Sequence, residues 1–464
     1  MDYLVIRITA SEGQDRLWAK AGEWGAAPIY LLQDGDRLRG DWNPAALYPH
    51  LRHRAFDEFL IAHYLLRCGC PYSKQTIVPE IQMLTACSSA TWESGQALQI
   101  TYPEPAERHF PRQVLDGADV VGTLGRILSA SSTRWIDRSL NAPVSAELSS
   151  GLDTAMVASA AAAGSERPVR TYGLIMPGEP GRHQQDRRAQ LIDHFGFVDL
   201  SVEAREFPPF TDLTRIAENQ VYVGQEFYHE AFEQMLRLAR SEGTVLLMSG
   251  NGGDELCYLN EDEWGPDEWS SRRGDIVVER AGIPDFFTDK TFELYHDGLY
   301  KIDRAPRARM PRSAFTSSAA SAPLYLNNGV WPASPLATPE IYRFCRSLPR
   351  EWREGRTIQR DWLTRLGCSR AVTHPESTET FQPVMEYSLR EAARPLIQRL
   401  FADSYLAEGG FVDRDRLVHH YERFCAGSQG PVEDTEFLSI VSLELSCRAL
   451  KGTGSEVLRE PRTR

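Results

Sequence analysis

The stretch Pro143-Val144-Ser145-Ala146-Glu147-Leu148-Ser149-Ser150-Gly151-Leu152-Asp153-Thr154 decides how the rest of the chain is read. A short strand-like run reaches small and hydroxyl residues, turns at Gly151, and passes into Ala155-Met156-Val157-Ala158-Ser159-Ala160-Ala161-Ala162-Ala163, rich in good helix formers. The order is strand, tight turn, helix. A helix starting on such a turn leaves backbone N–H groups unpaired at its positive end, and Ser149, Ser150 and Thr154 add hydroxyl donors around them. Such a place holds a phosphate. Asp153 would repel a bare phosphate, so among these donors it makes sense as a ligand for Mg²⁺ bridging phosphate oxygens. The plain alternative is an ordinary strand-to-helix turn with an Asp near the helix start.

A second stretch bears on that choice. Thr244-Val245-Leu246-Leu247-Met248-Ser249-Gly250-Asn251-Gly252-Gly253-Asp254-Glu255 is again an apolar run ending in a glycine-rich turn, with an acidic pair behind it. Two strand ends, each with one Asp beyond it, can share one metal. Together, Ser149-Ser150-Gly151-Leu152-Asp153-Thr154 and Ser249-Gly250-Asn251-Gly252-Gly253-Asp254-Glu255 resemble the two signatures of the asparagine synthetase family, whose forms are Ser-Gly-Gly-Leu-Asp-Ser and Ser-Gly-Glu-Gly-Gly-Asp-Glu. The first is that family's pyrophosphate-binding loop.

Composition sets the outer bounds. At 464 residues the chain has room for two or three domains, and 42% hydrophobic with 25% charged residues is ordinary for a globular protein. A formal net charge of −13 and no long basic stripe argue against nucleic acid and anionic membrane surfaces as partners. The eight cysteines are scattered, and Cys68-Gly69-Cys70 lacks zinc-site spacing, so they read as reduced thiols. Without a targeting segment or membrane-length apolar run, the expected location is the cytoplasm.

Residues 1–119 show short β-type runs at 3–8, 29–32 and 92–102 and a helical pattern at 56–67. This portion resembles the family's N-terminal domain, which in amidotransferases begins, after Met, with a glutamine-hydrolysing cysteine. Here that position is Asp2, and a carboxylate cannot form the thioester that glutaminase chemistry requires. The domain reads as a vestigial scaffold, with binding of a partner or substrate as the other option.

Residues 120–464 read as the synthetase domain. A helix is expected at 120–140, strands at 168–176, 198–202 and 244–248, a loop at 177–184, and helices at 185–195, 229–241 and 434–450. Strands alternating with helices predict an α/β fold, a doubly wound parallel sheet with both glycine-rich turns at its carboxyl edge, and the resemblance implies that it is of PP-loop type. A helical C-terminal part with proline breaks follows from residue 286. The polar stretch 260–275, with Trp264 and Trp269, reads as a solvated insertion or a lid.

The resemblance implies adenylation: a carboxylate attacks the α-phosphate of ATP, pyrophosphate leaves, and an amine displaces AMP to form an amide. It assigns Mg²⁺ to Asp153 and Asp254, the pyrophosphate to the backbone of residues 149–154, and the flanks of the adenosine to Leu148, Gly173, Met176 and Gly250. Several positions depart from the family. Ser150 replaces a loop glycine and puts a Cβ where phosphate approaches. Asn251 stands where asparagine synthetases carry Glu and β-lactam synthetases Tyr, and it can only position a partner by hydrogen bonds. His374-Pro375-Glu376-Ser377-Thr378-Glu379-Thr380-Phe381 lacks the catalytic Lys the family places there, so either Arg356 or Arg360 stands in for it or catalysis is weaker. Glu255 reads either as a carboxylate supporting the site or as a helix N-terminal residue, and His183 as a solvated loop histidine.

Within the family the departures most resemble lasso-peptide macrolactam cyclases, which implies a ribosomal precursor peptide as substrate and a leader-binding or protease partner. A ligase for free ammonia or a small amine, and a non-catalytic nucleotide- or peptide-binding homologue, stay open.

Overall fold

The computed structural model describes residues 4–11, 14–23, 27–107, 109–139, 142–259, 263, 280, 282–427 and 434–458. Asp2 and the stretch 260–275, apart from Glu263, lie outside these residues.

Among the described residues the N-terminal part holds seven antiparallel strands: β1 (Leu4–Ser11), β2 (Gln14–Ala21), β3 (Ile29–Asp34), β4 (Arg37–Asp41), β5 (Ile81–Leu84), β6 (Ser89–Glu93) and β7 (Gln99–Thr101). They form one sheet in the order β1-β2-β6-β7 and another in the order β4-β3-β5. Alternation along β3 decides what each face meets: Ile29 and Leu31 pack with Ala19, Ala90 and Ile100, whereas Tyr30 and Leu32 face a larger core. That larger core is shared. The helix Glu58–Arg67, started by Asp57 accepting from the Leu60 N–H at 3.0 Å, buries Leu60, Ile61 and Leu65 in the same cluster as Phe437, Leu438 and Val441 of the C-terminal helix Asp434–Lys451.

The central sheet contains β8 (Ser145–Glu147), β9 (Arg170–Ile175), β10 (Val198–Glu203), β11 (Leu246–Met248) and β12 (Trp331–Ala333), in the order β10-β9-β8-β11-β12, with every pair parallel. Helices cover both faces, as a parallel sheet requires. Leu246 and Met248 face the helices Val120–Arg138, Leu152–Ala163 and Thr357–Arg365, while Leu247 faces His229–Ser241 and Arg312–Asn327. Packing on the first face is close: a Cβ on Gly125 would lie 2.0 Å from the Trp362 ring.

Two expectations are corrected. Residues 177–184 are not a loop, because the helix begins at Gly178 and runs to Phe195; Pro180 sits in its first turn, where no N–H is needed. The part expected to be helical from residue 286 also contributes a strand to this sheet, β12, whose Pro332 is tolerated because β12 lies at the sheet edge.

Candidate active site

The two glycine-rich turns leave the carboxyl ends of β8 and β11, which are hydrogen-bonded neighbours in register at Ala146 and Met248. From β8 the sheet grows outward through β9 and β10, and from β11 it grows the other way through β12. The turns therefore meet at the reversal of strand order, where such sheets take ligands. They also touch. A Cβ on Gly250 would lie 2.9 Å from the Thr154 nitrogen, and one on Gly253 only 2.2 Å from Asp153 Cγ.

Asp153 and Asp254, about a hundred positions apart in the chain, converge on the guanidinium of Arg356. Arg356 Nη1 reaches Asp153 Oδ2 at 3.3 Å and Nη2 pairs with Asp254 Oδ1. Gln359 Nε2 donates at 2.9 Å both to Asp153 Oδ1 and to the Gly253 carbonyl, tying the two loops together. Burial pushes the Asp153 carboxyl above the usual range; Arg356 and Gln359 pull it back, and buried Glu255 pushes it up further. Arg356 holds this place with φ of +61°, a left-handed conformation costing about 1–2 kcal/mol. Mg²⁺ takes one or two carboxylates and fills its shell with phosphate oxygens and water, so two Asp from separate loops facing one cationic group fit its donor set. Asp153 and Asp254 would hold the ion, which when bound neutralises charge on a triphosphate. Among the described residues no group of three or more His, Cys, Asp or Glu is gathered.

The first loop keeps the free N–H groups of an anion cradle, since the helix Leu152–Ala163 has no side-chain cap at Gly151. Ser149 Oγ accepts from the Gly151 N–H at 3.1 Å, and the Ser149 N–H donates to Thr154 Oγ1 at 3.1 Å. Ser150, at φ +80°, is buried and turned away from the cavity, its Oγ accepting from Arg187 Nε at 3.3 Å. The added Cβ thus does not narrow the approach. Glu379, from the run that lacks the family Lys, crosses the loop: Ser149 Oγ donates to it at 3.2 Å and Arg187 Nη2 at 2.7 Å.

The other expected residues divide. Gly250 and Asn251 line the cavity, and Asn251 Nδ2 ties its loop to the helix Arg312–Asn327 through Ser318 Oγ at 2.9 Å. Leu148 and Met176 are buried core side chains. Gly173 is the gap into which Arg188 fits, where a Cβ would lie 2.1 Å from Nη1, and Arg188 pairs there with Asp199 at 2.6 Å. Arg360 is spent on the backbone carbonyls of Gly355, at 2.7 Å, and Thr373. Glu255 is buried outside the lining. His183 sits on the helix Gly178–Phe195, exposed, with Nδ1 2.8 Å from Ser377 Oγ.

The cavity over these loops encloses about 300 Å³. Asp153, Gly151, Gly250 and Arg356 line it together with Glu147, Glu226 and Tyr325, three residues that the sequence reading did not single out. Burial pushes the Glu147 carboxyl up to about 7, with the Tyr325 hydroxyl, which donates to it, pulling down and Glu226 pushing up. Burial also raises Glu226, against backbone N–H donors at Tyr228 and Phe227. No Lys, Arg or His is among the groups that shift either one. The signal in the sequence was a carboxylate on the central strand of a parallel sheet, where apolar residues are the rule.

Residues 138–321 match the family model for asparagine synthase. This segment of the chain is similar to asparagine synthase domains. It contains both glycine-rich loops, Glu147 and Glu226, whereas Arg356, Gln359 and Glu379 lie beyond the matched residues. The match supports ATP-dependent amide ligation in general. Among solved structures, the chain is similar to the NH3-dependent NAD synthetase from Campylobacter jejuni subsp. jejuni, at 10% identity over 47% of this chain and 97% of that one, with a TM-score of 0.23. No curated protein sequence matches the chain. Among the described residues, no helix is long and apolar enough to cross a membrane.

Proposed function

We propose that the protein is an ATP-dependent, AMP-forming carbon–nitrogen ligase that joins a carboxylate to an amine through a carboxyl-adenylate. The observation that carries this reading is the meeting of Asp153 and Asp254 on one cationic group at the reversal of strand order. In the reaction a substrate carboxylate oxygen bonds to the α-phosphorus and pyrophosphate departs with its electron pair. The amine nitrogen then bonds to the acyl carbon, AMP departs, and the nitrogen gives up one proton. The chain's own part is to cradle pyrophosphate with the residue 149–154 backbone, set the acyl carbon near the loops, and exclude water.

The substrate we favour is a ribosomal precursor peptide closed to a macrolactam or isopeptide, with a leader-binding or protease partner. Loss of the glutaminase cysteine supports an amine other than ammonia released from glutamine. Residues 1–119 then serve as a vestigial scaffold beside a synthetase unit at 120–464, in the cytoplasm.

A non-catalytic reading draws on one observation: the Glu379 carboxylate already accepts from Ser149 in the cradle. Pyrophosphate release with ATP, Mg²⁺ and candidate carboxylates separates the two. Asp153→Asn is expected to abolish binding of a fluorescent ATP analogue in the presence of Mg²⁺; full retention of that binding would remove the ligase reading.

A further inference from the structure

The active-site cavity borders another at Glu226. Glu226 and Ser317 also line a second cavity of about 290 Å³, so the two spaces share a wall. Tyr30, Tyr48, Tyr64 and Tyr72 of the N-terminal part close this chamber together with Tyr222 and Phe227. Two of the hydroxyls are hydrogen-bonded: that of Tyr72 accepts from the Ala86 N–H at 2.7 Å, and that of Tyr222 donates to the Ala320 carbonyl at 3.2 Å. The lining is mainly apolar, with Gln75, Thr76, Thr316 and Ser317 adding polar groups.

Protein interiors leave few voids larger than a water molecule, and an apolar one binds apolar guests. At this shared wall stands Glu226, with Glu147 lining the active-site side; the cationic side chain among the residues lining that cavity, Arg356, is already paired with Asp153 and Asp254. A positive group arriving beside Glu147 and Glu226 relieves their mutual repulsion. The nucleotide loops line the same cavity as Glu147 and Glu226, so a nitrogen held beside these carboxylates faces them.

We propose that the amine substrate is a primary amine carried on an aromatic or branched apolar body. The body fills the tyrosine-walled chamber, and the nitrogen stops beside Glu147 and Glu226, facing the nucleotide end. This rests on the ligase reading above and narrows it: ammonia or a short polar amine leaves the chamber unfilled. The N-terminal part, without its glutaminase residue, supplies most of the wall that selects the nucleophile.

Titration calorimetry of the full chain with phenethylamine tests this. Saturable binding is expected, with methylamine (head without body) and 3-phenylpropionate (body with the opposite charge) each weaker by about tenfold or more. Glu226→Gln should weaken phenethylamine by about tenfold, and Ala319→Trp, which puts a ring into the chamber, should abolish it while binding of the fluorescent ATP analogue persists. No saturable phenethylamine binding, equal binding of the acid, or indifference to Glu226→Gln overturns the proposal. Asp153→Asn should keep phenethylamine binding while losing nucleotide, so failure of the amine site and failure of the ligase reading give different results.

Discussion

Glu147→Gln is expected to make the protein more stable, and by an amount that depends on pH. Burial moves the Glu147 carboxyl from its ordinary 4.5 to about 7, so between those values the folded protein holds a proton that the unfolded chain releases. The neutral acid's contribution is therefore complete below pH 4.5 and lost as pH rises through about 7. The shift corresponds to about 3 kcal/mol. Gln cannot ionise, and its amide oxygen still accepts from the Tyr325 hydroxyl, so the variant avoids that loss. The measurement is urea unfolding of both proteins across this range. The variant should match the wild type at pH 4.5 and exceed it increasingly up to about pH 7, with a constant difference above. A difference that does not vary with pH, or one that favours the wild type at high pH, refutes the reasoning.

Other outcomes follow from the same geometry. Gly253→Ala should abolish Mg²⁺-dependent nucleotide binding, because the new Cβ would lie 2.2 Å from Asp153 Cγ; equilibrium binding of the fluorescent analogue reads it. Glu379→Gln should tighten inorganic pyrophosphate binding by roughly three- to tenfold, since it removes a like charge from the cradle; calorimetry checks this, and weaker binding would count against a phosphate at Ser149. Nucleotide affinity should fall on acidification starting above the usual carboxylate range, because the raised Asp153 carboxyl must be ionised to hold Mg²⁺. Gly125→Ala should cost about 1–3 kcal/mol in chemical denaturation through its clash with Trp362, without changing nucleotide affinity.

Much of the fold could be read from periodicity where elements are long. The helix His229–Ser241 falls on the residues its pattern predicts, with Ala231, Met235, Leu236 and Ala239 buried on one side. Brevity hides β12, which is three residues long and contains a proline. The Gly178-Glu179-Pro180-Gly181 start of a helix looks like a loop because its residues are turn formers, although its first turn demands no N–H. Asp153, Asp254 and Arg356 were legible through type and order along the chain. The proposed adenosine contacts at Leu148, Gly173 and Met176 were not, because the facing of a strand residue depends on what fills the other side, here Arg188 and two cores. Arg187 and Gln359 escaped notice because an ordinary helix offers such residues everywhere, and only tertiary approach to the loops distinguishes them.

The interior shared between the helix Glu58–Arg67 and the helix Asp434–Lys451 bears on how the molecule can be dissected. Cutting the chain near residue 119 would strip Leu60, Ile61 and Leu65 from Phe437 and Leu438 and lay bare a greasy surface on each fragment. The N-terminal segment cannot be discarded as an idle passenger, because the far end of the polypeptide depends on it for cover.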